Sequence, residues 1–251
     1  MKPTQKRLAA KFRANSQTAV ANRKTFALAG TTVISLVGSA GSGKTALIEA
    51  AVRLAHNTKF GAIVGNLASP RDAERLQRLG VRAIPVLTDN LTAEHIHEVL
   101  EDFETETCDV LFIESGGNAE SPVEYDFGQA IRVAVFSVAG GDDKAAANPR
   151  LVADADLIVL TKVDLLPYVT FDLNSFRSDV TTLNPEASII TTASMSSRGF
   201  DEWLSWLSHS RTNDRTANHV SPARHISPRF GSRNGEQPMS DETIFKIEGD
   251  Q

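Results

Sequence analysis

The run Gly38-Ser39-Ala40-Gly41-Ser42-Gly43-Lys44-Thr45 has the spacing GxxxxGK[ST], and its residue types suit the holding of a nucleoside phosphate. Glycines let the backbone curl so that successive N–H groups face phosphate oxygens. Lys44 reaches for the outer phosphates, and the Thr45 hydroxyl is placed to ligate magnesium. Further on, Thr161-Lys162-Val163-Asp164 lies one residue from the guanine-reading pattern NKxD. A carboxylate at Asp164 accepts from the N1–H and the exocyclic amino group of guanine, and adenine has no matching donor pair. At about 1.5–3 kcal/mol per charge-assisted bond, that is a preference of about tenfold or more. Lys162 lays its aliphatic stem along the base plane. Thr161 keeps a hydroxyl but loses the usual amide, which weakens a contact to the base or to the phosphate loop. Thr192 and Ala193 sit in a Thr-Thr-Ala-Ser stretch that could close over the base as the SAK loop of GTPases does. Glu114, with Gly117 three residues later, pairs a magnesium-binding carboxylate with a backbone N–H for the terminal phosphate. GTP and magnesium are therefore the expected ligands. The plainer readings are a glycine turn, ordinary strand ends and a solvated boundary glutamate.

Such residues work only if strands and helices bring them together. Thr31 to Val37 is a β-branched, apolar run that reads as a buried strand, and Thr45 to Ala55 has helical apolar spacing. The pattern then alternates, with strands near Phe60 to Val64, Arg82 to Leu87, Val110 to Glu114, Arg132 to Val138, Leu157 to Thr161 and Ser188 to Thr191. Helices fall near Pro70 to Leu79, Thr92 to Phe103, Pro149 to Ala155, Phe171 to Leu183 and Phe200 to Ser208. The expected fold is α/β, a doubly wound and mostly parallel sheet with ligands at the carboxyl ends of its strands.

Composition sets the outer bounds. The chain has 251 residues, 41% of them hydrophobic, and no apolar stretch near the roughly 20 residues of a membrane span. No signal peptide is visible, and the single cysteine, Cys108, excludes internal disulfides and agrees with a cytoplasmic location. The net charge of −5 conceals an uneven distribution, since residues 1–25 hold seven Lys or Arg and no acid. This segment reads as a basic, helical arm, with Leu8, Phe12 and Val20 on one stripe, that could dock on an acidic partner. Nothing suggests a nucleic-acid fold. The nucleotide domain is expected over 26–208, and the polar stretch 209–251, without apolar period, reads as a disordered tail.

These residues resemble a known family, the hydrogenase nickel-incorporation GTPases, HypB, with the urease accessory GTPases, UreG, as near relatives. The resemblance spans roughly 22–207 and includes Asn22-Arg23 with Phe26, the phosphate loop, and RDAERLQRLG from Arg71 to Gly80. ESGGN from Glu114 looks like the family's ENVGN, and SVAGGDD from Ser137 looks like SVxEGDD. The most specific stretch is ADLIVLTKVDLLPYVTFD, Ala155 to Asp172, and the later Trp203 to Leu207 also fits. The resemblance implies a P-loop GTPase of the SIMIBI type, a homodimer that works with metalloenzyme maturation proteins to deliver nickel.

The sequence departs from that pattern where metal is held. The family's Cys-His pair aligns with Thr92 and Ala93, neither of which is a donor for a soft divalent metal. His95 and His97 lie at i, i+2, which splits them across helix faces, and His56, His209, His219 and His225 are given no metal role. No transition-metal site is expected. The family's second strand ends in Gly-Asp, with the acid near magnesium and the attacking water, where this chain has Gly65-Asn66. Asn66 cannot take a proton, so slow hydrolysis is expected from a group in which intrinsic rates are already about 10⁻³ per second or less. The expected role is thus a slow GTPase accessory factor for nickel insertion, with a GTP-dependent interaction switch of little turnover as the alternative. An ATP-using kinase of the same fold is the third reading, and Asp164 argues against it.

Overall fold

A computed structural model of the chain describes residues 3–66, 69–88, 90–116, 126–193 and 197–217. Chain order runs α1 (Pro3–Ala29), β1 (Thr32–Val37), α2 (Lys44–Leu54), β2 (Phe60–Gly65), α3 (Arg71–Gln77), β3 (Arg82–Val86), α4 (Ala93–Asp102) and β4 (Val110–Glu114). It continues with β5 (Ile131–Ser137), α5 (Lys144–Ala147), α6 (Pro149–Ala153), β6 (Leu157–Thr161), α7 (Leu173–Leu183), β7 (Ser188–Thr191) and α8 (Phe200–Ala217). The seven strands form one sheet in the order β3-β2-β4-β1-β5-β6-β7, and every pairing is parallel.

Alternation along the strands explains the two layers of helices, because successive side chains leave the sheet on opposite faces. Ile34, Leu36, Val133, Val135, Leu157 and Val159 pack with Leu47 and Ile48 of α2, Leu76 of α3 and Trp203 of α8. Their neighbours take the other face. There Val33, Ile63 and Ile113 meet Phe26 of α1 and Ile96 of α4, while Ala134, Phe136, Ile158 and Leu160 meet α6 and α7. Trp203 is wholly buried, stacks on Trp206 at 5.8 Å and donates its indole N–H to Leu47 O at 3.2 Å, tying α8 to α2. The chain leaves β1 toward β2 on one side and later returns to β5 on the other, so the strand order reverses at β1. Ligands of such sheets sit beside that reversal.

Both expected domain edges fall inside helices. α1 runs through the 25/26 boundary, with Ala19, Asn22 and Phe26 buried on one stripe. Val20, expected on the arm's apolar stripe, is instead 43% exposed, because the buried stripe advances by i, i+3 and i+7 from Ala19. The side chains of Leu8 and Phe12 lie outside the described ones. At the other end, α8 continues nine residues past Ser208, so the expected tail begins too early. Arg211 holds that extension with a hydrogen bond to Thr58 Oγ1 at 2.9 Å and an ion pair with Asp109 at 3.3 Å. Polar sequence without apolar period can stay helical when an ordered turn propagates it and one residue anchors it.

Candidate nucleotide-binding site

The phosphate loop leaves β1 at the strand-order reversal and enters α2. A side chain at Gly38 would run into the Val135 carbonyl, and Gly43 takes φ +99° with Thr161 packed against it, so both positions require glycine. Gly43 caps α2 without a side-chain hydrogen bond, which leaves the first N–H groups of the helix and its positive end facing the loop. Ser42 Oγ is buried without a hydrogen-bond partner. An orphaned donor inside a loop of open amides is a cradle for anionic oxygens.

Lys44 is buried, and its ammonium donates to Gly38 O at 2.9 Å and Ser39 O at 3.0 Å. Burial lowers its pKa, against the opposing pull of Glu114 and Asp72. Thr45 Oγ1 lies 2.9 and 3.0 Å from the two carboxylate oxygens of Glu114, which stands at the end of β4, the strand next to β1. Burial raises Glu114 to about 7, only partly offset by Lys44 and the Thr45 hydrogen bond. A hydroxyl and a carboxylate that touch, next to a phosphate cradle, form the donor set of a hard divalent cation such as magnesium. Gly117 lies outside the described residues. Ser115, just after Glu114, returns its N–H to Leu36 O at 3.1 Å.

Asn66 follows β2 and donates its amide to Asp72 Oδ2 at 3.3 Å. Asp72 in turn pairs with Arg75 at 3.2 Å, and Arg75 with Glu49 at 3.0 Å. This chain of contacts joins the ends of β2, α3 and α2, and Asp72 acts electrostatically on both Lys44 and Glu114. Asp72 therefore belongs to the site, and motif reading missed it. Its only sequence signal is its place in RDAERLQRLG, six residues beyond Asn66.

On the other side of the loop, Thr161 ends β6 and sends its hydroxyl to Ser42 O at 2.5 Å and Phe136 O at 3.1 Å. The contact to the phosphate loop that the loss of the usual amide was expected to weaken is thus made by the hydroxyl. Lys162 adopts a left-handed conformation, φ 58°, and starts the turn Val163–Tyr168 that carries the half-buried Asp164. Thr192 accepts from Val163 N at 3.1 Å and so abuts that turn, while Ala193 N bonds to Arg198 O at 3.0 Å. Lys44, Thr45, Glu114, Asn66, Thr161 and Asp164 all stand at or just beyond the carboxyl ends of strands, along one edge of the sheet.

Thr92 and Ala93 open α4 on the far side of the sheet. Thr92 forms a capping box with His95, whose Nδ1 accepts the Thr92 N–H at 3.2 Å. Ala93 is buried and is held at both backbone groups by α1, through Asn15 Oδ1 at 2.9 Å and Asn22 Nδ2 at 2.8 Å. His97 Nδ1 meets Asn22 Oδ1 at 2.9 Å, so the two histidines serve different partners. Among the described residues no group of three or more His, Cys, Asp or Glu is gathered as for a metal ion.

Comparison with known proteins agrees with this geometry. A family model described as the CobW/HypB/UreG nucleotide-binding domain matches residues 32–191. The hydrogenase maturation factor HypB of Escherichia coli K12 is 38% identical over 201 residues, covering 78% of this chain and 69% of that protein. The crystal structure of HypB from Archaeoglobus fulgidus superimposes with a TM-score of 0.73 at 35% identity, covering 79% of this chain and 99% of that one. That of HypB from Helicobacter pylori, in complex with nickel, gives a TM-score of 0.75 at 28% identity, covering 80% and 97%.

Proposed function

Since the chain belongs to the CobW/HypB/UreG family of nucleotide-binding domains, we propose that it binds GTP with magnesium, hydrolyses it slowly, and serves as an accessory factor in the maturation of a nickel enzyme. The observation that carries this reading is the contact of Thr45 Oγ1 with both oxygens of Glu114, beside Lys44 at the open start of α2. The loop amides and Lys44 would hold the phosphates. Thr45 and Glu114 would hold magnesium, which on binding supplies positive charge to the outer phosphates. Asp164 would read guanine, with Lys162 along the base and Thr192 and Ala193 close by. Gly117 would serve the terminal phosphate. We assign a homodimer, maturation proteins as partners, a cytoplasmic location, and no nucleic acid or membrane. No helix of the described residues is long and apolar enough to cross a membrane. Residues 1–25 keep the role of a basic arm, and the nucleotide domain ends with the polar segment that follows it.

The transition metal is where this chain parts from relatives such as the nickel-bound Helicobacter protein. Thr92 and Ala93 supply no soft donor, so we assign metal carriage to partners. Phosphate release from GTP and from ATP, each with magnesium, tests the activity; equal rates, or none above background with either, would sink it. Lys44→Ala is expected to weaken GTP binding by about 10- to 100-fold in a fluorescence titration, since one buried charge-assisted contact to phosphate is lost.

The second reading, a switch with little turnover, is favoured by Asn66, whose amide is spent on Asp72 at 3.3 Å. Asn66→Asp sets a second carboxylate against Asp72, a repulsion that magnesium can offset. Turnover of this variant is expected to rise about tenfold at saturating magnesium and to fall back at low magnesium. Unchanged turnover across a magnesium titration would place the brake elsewhere.

A further inference from the structure

The carboxyl ends of β6 and β7 carry a group of hydrogen-bond donors next to Asp164, and those described all point into the protein. The Thr161 hydroxyl has a single proton, shared between Ser42 O at 2.5 Å and Phe136 O at 3.1 Å. Val163 N bonds to Thr192 O at 3.1 Å, Leu165 N to Lys162 O at 2.9 Å, Thr192 N to Leu160 O at 2.9 Å, and Ala193 N to Arg198 O at 3.0 Å. Thr161 is only 3% exposed, and its Oγ1 and Cγ2 lie 3.2 Å from where a side chain on Gly43 would begin, so it is wedged against the phosphate loop. Asp164, by contrast, has no hydrogen-bond or ion-pair partner among the described residues.

A purine whose phosphates lie in the loop and whose N1 and amino edge meets Asp164 spans the gap between them. Its N7 edge then lies on the Thr161 side. An amide at position 161 has two N–H groups and can serve a loop carbonyl and N7 together, whereas a hydroxyl with one proton serves only the first. We propose that this chain reads guanine through its N1 and amino edge alone, because Thr161 spends its only donor on the phosphate loop and leaves N7 unread. The inference rests on the guanine reading of Asp164, and the test separates the two.

Titration calorimetry of the full chain with magnesium would compare GTP, 7-deaza-GTP, ITP and ATP. 7-deaza-GTP, which lacks the N7 acceptor, is expected to bind within about twofold of GTP. ITP, which lacks the amino group and so one charge-assisted bond, is expected to bind about 10- to 150-fold more weakly, and ATP more weakly still. Thr161→Asn should gain a preference for GTP over 7-deaza-GTP of about 2- to 10-fold, while Thr161→Ser should stay indifferent. A loss of tenfold or more for 7-deaza-GTP in the unaltered chain overturns the inference and leaves Asp164 in place. Equal affinity for GTP, ITP and ATP overturns the Asp164 reading, and this inference with it.

Discussion

Asp164→Asn inverts the base preference, with GTP binding falling about 100-fold or more and xanthosine triphosphate gaining by a similar factor. In guanine, N1–H and the amino group are both donors, and a carboxylate accepts from both. An asparagine amide still accepts from N1–H but turns an N–H toward the amino group, so one bond is lost, a donor clash replaces it, and the remaining bond loses its charge. Xanthine carries a carbonyl in place of the amino group, which suits the amide and repels the carboxylate. Each charge-assisted bond is worth about 1.5–3 kcal/mol, so two of them place the combined effect at about two orders of magnitude or beyond. Since Asp164 has no partner among the described residues, the substitution should leave folding within about 0.5 kcal/mol. Competition of each nucleotide against fluorescent GDP gives the ratio directly. An unaltered ratio in a variant that still binds GDP would falsify the base assignment.

The parts of this site that could be read from sequence are those made by contiguous residues. The phosphate loop carries its own strand, turn and helix start, so its geometry follows from Thr32 to Leu54 with little help from the rest of the chain. The strands were legible because a parallel sheet covered on both faces buries whole runs; β1, β4, β5 and β6 are buried along their entire length. Other contacts exist only in three dimensions. Thr161 and Ser42 are 119 residues apart, and the sequence could say that an amide was missing but not that the hydroxyl takes over the loop contact. Asp72 was missed for a similar reason, since it reaches the site only because α3 turns back from β2 over the start of α2. The four-residue α5 is too short for any period to register. In α1 the buried stripe runs through Asn22, and a polar residue buried for its hydrogen bonds to Ala93 and Phe127 does not look like core in a hydropathy pattern.

Glu114→Gln is expected to stabilise the nucleotide-free protein at neutral pH and above while removing its response to magnesium. Burial raises the Glu114 carboxyl from its ordinary value of 4.5 to about 7, so the folded chain holds that proton more tightly than the unfolded chain does. Below about pH 4.5 both states are protonated and the group costs nothing. As pH rises from 4.5 to 7 the unfolded state ionises first, stability declines, and above pH 7 the full difference of about 3 kcal/mol is lost. Glutamine keeps a hydrogen bond to Thr45 Oγ1 and never ionises, so it escapes that decline. Urea unfolding in EDTA at pH 5, 6, 7 and 8 should therefore show the variant equal to the parent at the acid end and about 2–3 kcal/mol more stable at pH 8. Comparing the two proteins cancels the titration of groups they share. A stability difference that stays flat across this range would show that Glu114 is ionised throughout. Magnesium reverses the ranking, because the charge that burial makes costly is the one a hard cation seeks. With magnesium and GDP the parent should regain its lost stability in proportion to the ligand present, and the variant should gain little. GTP turnover in the variant should fall by about 100-fold or more, the effect of a displaced metal on a developing phosphate charge. Retained turnover together with a retained magnesium response would move the metal away from Thr45 and Glu114, and with it the centre of the site.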